Sequence, residues 1–193
     1  MASTGDIWLF RGRTVADWTI RAATNSPVNH VGMVVALDDL PPLLWHAELG
    51  RSLPDVWTGR RQRGVQLHRL VDAVTTWNAR YRQRAWFRQL SGPIERYHED
   101  RLMEMIDRFD GRPFPTTVKL FGGWVTSRAR RRARRRASVE TVFCAQLVAM
   151  TYQHMGLLAS TRPGSWYDPG RFWSGDHLGL VSPYELSAEI AVH

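Results

Sequence analysis

Cysteine occurs once in the 193 residues, at position 144. A single thiol excludes an internal disulfide framework, and no grouping of Cys with His has the spacing of a structural zinc site. Long apolar runs are also missing. None approaches the roughly 20 residues that cross a bilayer, and the opening Met1-Ala-Ser-Thr-Gly-Asp6 lacks the basic start and apolar stretch of a secretory signal. The expectation is a soluble, cytoplasmic protein, in keeping with one thiol in a reducing interior.

Acidic residues are fewer than basic ones, 18 against 26, which leaves a net charge of +8. That excess is local. Seven arginines, at 128, 130, 131, 132, 134, 135 and 136, fall between Ser127 and Ala137, and without them the net charge is only +1. The body of the chain therefore has no basic face in its composition, and the arginine run reads as an insertion at about 127–137. With 44% hydrophobic residues, the chain reads as one α+β domain over 1–193 with enough apolar material for a core.

Short apolar runs bounded by turn residues predict strands at Asp6 to Phe10, His30 to Leu37, Leu43 to Leu49, Gly64 to Leu70 and Ala85 to Leu90. The second and third are joined by Asp38-Asp-Leu-Pro-Pro42, the chemistry of a hairpin turn. Helical spacing predicts a helix capped at Thr14, an amphipathic helix ending at Phe109, and an apolar helix from Thr141 to Met155 closed by Gly156. Between Leu70 and Ala85 a short helix fits. The tail from Ser160 reads as loop, with Ser182-Pro-Tyr-Glu-Leu186 as a capped final helical turn.

Cys144 falls in the first turn of its helix, where free backbone N–H groups and the dipole favour a thiolate. A nucleophilic cysteine needs a base within hydrogen-bond reach, and that base needs an orienting partner. His30 and His46 lie on adjacent predicted strands. They share a face if the connection has an odd residue count, which pairs His30 with Glu48 and leaves His46 diagonal. Either His46 or Glu48 then orients His30. The bland reading makes Cys144 a core residue and each histidine a half-buried strand residue. His68, His98, His154, His177 and His193 are given surface or packing roles.

Together, Gly5-Asp-Ile-Trp-Leu-Phe10, Ser26-Pro-Val-Asn-His-Val-Gly32, Leu44-Trp-His-Ala47, Gly64-Val-Gln-Leu67 and Phe143-Cys-Ala-Gln-Leu-Val148 resemble the circularly permuted NlpC-type papain-like superfamily. That group includes YiiX-like bacterial proteins and lecithin:retinol acyltransferase-like enzymes. The resemblance spans roughly residues 5 to 155. It implies a small antiparallel sheet packed against helices, with Cys144 as nucleophile, His30 as base and His46 as the polar residue holding the base. YiiX-like relatives often carry Glu at the position of His46, and the arginine run is not part of the pattern.

The implied activity is hydrolysis or acyl transfer at an amide or ester bond through a thioacyl intermediate, with a peptide, lipid or ester as substrate and no metal or cofactor. Two other functions compete. One is a non-catalytic member of the fold that binds peptide or lipid in its cleft, a use that would suit some of the nine tryptophans. The other is an anionic partner, nucleic acid or membrane surface, held by Arg128 to Arg136. Oligomeric state is not readable.

Overall fold

A computed structural model of the chain describes residues 2–12, 26–37, 40–48, 50–113 and 143–192. The expected helix after Thr14, the connection around Asp38 and the arginine run all lie outside these residues. The strands are β1 (Ile7–Arg11), β2 (His30–Val35), β3 (Leu43–Glu48), β4 (Gly64–Arg69), β5 (Arg84–Arg88), β6 (Leu90–Ser91), β7 (Glu185–Leu186) and β8 (Ile190–Val192). The helices are α1 (Leu70–Tyr81) and α2 (Arg96–Phe109), with α3 over 143–155. The fold is α+β, as expected: a six-stranded antiparallel sheet in the order β4-β3-β2-β1-β5-β8, with β6 and β7 paired separately.

The sheet is covered on both faces, which is why β2 and β3 read as continuous apolar runs rather than alternating ones. One face sets Ile7, Leu9, Val31, Met33, Trp45 and Leu67 in a core with Leu102 and Ile106 of α2 and Leu147, Val148 and Tyr152 of α3. The other sets Trp8, Phe10, Val34 and Leu44 against Leu70, Ala73 and Trp77 of α1. Those three α1 residues recur at helical spacing and form its buried stripe. Burying each large apolar side chain in either core contributes about 1.5–3 kcal/mol.

The tail departs from the sequence reading. Ser182 to Leu186 forms no helical turn; Glu185 and Leu186 pair with Ser91 and Leu90 as β7 on β6. Residues 190–192 then add a sixth strand, Ala85 pairing with Val192 and Phe87 with Ile190. Long-range pairing overrides the local capping pattern here. His98 Nε2 donates to the Tyr184 hydroxyl across 2.9 Å, fixing the tail to α2. His98 is thus buried, and its Nδ1 accepts from the Glu95 backbone N–H at 2.9 Å to close a reciprocal cap on α2. Among the described residues no helix is long and apolar enough to cross a membrane.

Candidate functional site

The β2–β3 hairpin fixes the first two histidines. Met33 pairs with Trp45, Val34 with Leu44 and Val35 with Leu43, so an odd number of residues connects the strands. Continued outward, this register sets Gly32 across from His46 and His30 across from Glu48. Gly32 is needed there. A Cβ at that position would stand 2.8 Å from Leu44 Cδ1 and 3.2 Å from His46 Cβ, so a side chain there would displace Leu44 and crowd the base of His46. On the other side, β4 pairs Gln66 with His46 and His68 with Leu44. Period-two alternation then brings Gln66 and His68 to the face that carries His46.

The three rings form a chain. His30 Nε2 lies 3.2 Å from His46 Nδ1, and His46 Nε2 lies 3.0 Å from His68 Nδ1. Trp77 of α1 covers the chain, its ring centroid 5.4 Å from that of His30 and 5.0 Å from that of His46. Trp77 Nε1 donates to Ser52 Oγ at 3.0 Å, and Ser52 Oγ donates to Glu48 Oε2 at 2.9 Å. The same Glu48 oxygen lies 4.0 Å from His68 Nδ1. His46, rather than Glu48, is therefore the residue in contact with His30.

Burial governs the electrostatics. It pushes the His30 imidazole down to about 3, with repulsion from His68 adding to the effect. His46 is held well below the ordinary histidine value by burial, then by His68 and His30. His68 falls to about 4, burial outweighing the opposing pull of Asp55. Burial raises Glu48, against the hydrogen bonds from Ser52. At neutral pH all three rings are uncharged, and each carries one ring proton. Three buried polar atoms at this site have no hydrogen-bond partner among the described residues: His30 Nδ1 and both Nε2 and Oε1 of Gln66.

Two cavities meet the chain of rings. One of about 210 Å³ is lined by Asn29, His30, Glu48, Trp77, Tyr81 and Gln83. The second, of about 360 Å³, lies at the far end against His68, Asp55, Arg69 and Asp72. A larger cleft of about 410 Å³ along Arg88, His177 and Tyr184 touches none of the three histidines.

Cys144 stands apart from this group. It is fully buried in the core that holds Val31, Met33 and Trp45, whereas His30 packs against Phe10 and Trp77 on the opposite face of the sheet. The structure thus brings His30 and His46 together, while Cys144 packs in the core on the other face of the sheet.

The thiol and the His30 ring do share one end of the sheet. Trp45 Nε1 donates to Thr151 Oγ1 at 3.1 Å, which seats α3 over the middle of β3. The Tyr152 hydroxyl donates to Gly5 O, and Leu157 approaches Gly5, so α3 runs out toward the start of β1. Its beginning therefore points to the end where β2 starts with His30. Cys144 precedes Thr151 by about 10 Å of helix, at about 1.5 Å per residue. His30 precedes Met33 by a similar length of strand, at about 3.3 Å per residue.

His68 is the site residue the sequence reading missed. Its signal was the spacing Gly64-x-Gln66-x-His68 on a strand neighbouring His46, which is visible only once β4 is known to pair with β3.

The chain matches no protein-family model and no curated protein sequence. Among solved structures it is similar to the crystal structure of metalloprotein YiiX from Escherichia coli O157:H7, described as DUF1105, with a TM-score of 0.50 and 19% sequence identity. The match covers 80% of this chain and 66% of YiiX, so the chain spans just under two thirds of its neighbour's length. At that identity the likeness establishes the architecture, and the chain has an α+β fold of the YiiX kind.

Proposed function

We propose that this chain is a cysteine-dependent hydrolase or acyltransferase of the permuted NlpC-type papain-like superfamily, acting on an amide or ester bond, with Cys144 as nucleophile, His30 as base and His46 orienting the base. The observation that carries this reading is the asymmetry of the His30 ring. Its Nε2 is engaged by His46, while its Nδ1 has no partner among the described residues, and the ring lines the 210 Å³ cavity. An imidazole held through one nitrogen with a lone pair on the other is the form that accepts a proton. The YiiX-like fold gives further support, because the sequence motifs resemble the superfamily in which YiiX-like proteins fall.

In the reaction the Cys144 sulfur bonds to the carbonyl carbon as His30 Nδ1 takes the thiol proton. His30 then returns that proton to the departing amine or alcohol, leaving a thioester. Water or another acceptor attacks the thioester as His30 takes its proton, and His30 then passes that proton to the departing sulfur, freeing the acyl product and the thiol. The Cys144 backbone N–H, near the start of α3, is a donor suited to the oxyanion. The reaction requires the sulfur to approach the ring around the end of β2, where His30 is the first residue of the strand.

Full burial of Cys144 favours a second reading, a cleft that binds peptide or lipid without chemistry. Turnover on panels of peptides, lipid esters and simple esters separates the two. The first expects turnover that Cys144→Ala abolishes, with an acyl adduct on Cys144 in the mass spectrum. Ligand binding without turnover, or turnover unchanged in Cys144→Ala, would overturn it.

A further inference from the structure

We infer that His46, Glu48 and His68, supplemented by Gln66, form a binding site for one divalent cation of the zinc class. His46 Nε2, His68 Nδ1 and a Glu48 carboxylate oxygen lie within 4.8 Å of one another, and all three residues are buried. Two imidazole nitrogens with one carboxylate oxygen make a donor set of borderline softness, suited to Zn²⁺. A cation about 2.0–2.2 Å from each donor fits between atoms that stand 3.0 Å apart for the nitrogens and 4.0 Å apart for His68 and Glu48, with small shifts.

An independent observation points to a missing partner. Gln66 is fully buried, pairs across the ladder with His46, and leaves both amide heteroatoms without a partner among the described residues. Leaving a buried amide unpaired is costly, so a partner for it is expected. Its amide oxygen is available as a fourth donor. Glu48 adds a charge argument. Among the described residues, its one ion-pair neighbour is His68 at 4.0 Å, and a neutral ring does not compensate a buried carboxylate.

His30 then becomes the outer partner. A metal on His46 Nε2 leaves the His46 proton on Nδ1, where it donates to His30 Nε2 at 3.2 Å. The His30 proton moves to Nδ1, and the ring no longer offers a lone pair there. Metal binding would therefore silence the base, a consequence that rests on the proposed role of His30; the site itself does not.

The test uses the whole chain, stripped with a chelator and titrated with Zn²⁺ by calorimetry, with the visible spectrum of the Co²⁺ form as a second readout. One ion per chain is expected, with a Co²⁺ spectrum of nitrogen and oxygen ligation. Glu48→Gln and His68→Gln should each weaken binding by more than about 10-fold, since even outer-shell changes cost 10–100-fold. Circular dichroism identifies which variants are folded. Cys144→Ala should bind Zn²⁺ as the parent does, so the site stands even if no thiol activity is found. Failure to bind Zn²⁺, unchanged affinity in folded Glu48→Gln and His68→Gln proteins, or loss of binding in Cys144→Ala would overturn the inference.

Discussion

Asp110 follows α2 with a side-chain oxygen, Oδ1, that is buried and has no partner among the described residues. Burial and the nearby Asp55 charge push its carboxyl up to about 6. An acid whose folded pKa is raised binds its proton more tightly folded than unfolded. Its contribution is therefore fully present below the usual carboxylate value near 3.8 and is lost as pH rises through about 6. Asp110→Asn removes that loss. It should raise stability at pH 7.5 by about 1 kcal/mol, discounted for a half-exposed group, and by less at pH 4.5. Urea unfolding at the two pH values checks this, and an equal effect at both would contradict it.

The β2–β3 hairpin is the element on which the site depends. Gly32→Ala places a methyl group against Leu44 and His46, and such overpacking costs about 1–3 kcal/mol. The His30–His46 contact should open with it. A lowered unfolding midpoint together with shifted histidine ring signals in NMR is the expected result; a stable protein with unshifted signals would contradict the role given to Gly32. This hairpin was legible in the sequence because two apolar runs flank strong turn residues, and even the pairing of His30 with Glu48 followed from parity. His68 was not legible, since its meaning depends on a strand partner that local pattern does not name. Nor was the sixth strand: Ile190 to Val192 carries little local signal and is held by pairing with β5. For Cys144 a place near a helix start was legible, but periodicity does not say which face of a sheet that helix covers.

At the scale of the molecule, a two-faced sheet carries the imidazole chain under α1 and the thiol helix on its other side, and the tail closes the far edge. Arg88 ties that tail down, donating to Ser187 O at 2.6 Å and Leu186 O at 3.1 Å beside Glu189 at 3.7 Å. Deleting residues 187–192 should cost about 3 kcal/mol or more, because it leaves a buried guanidinium short of partners and bares β5. Unchanged thermal unfolding would show that the tail is not part of the folded unit. Whether Cys144 and His30 work together is read from the rate of Cys144 alkylation by iodoacetamide against pH. Labelling should slow by about 100-fold in His30→Ala, the lower range for a lost general base, with the folded state intact by circular dichroism. A Cys144 that labels at the same rate with and without the His30 ring, or only when the protein unfolds, would contradict it.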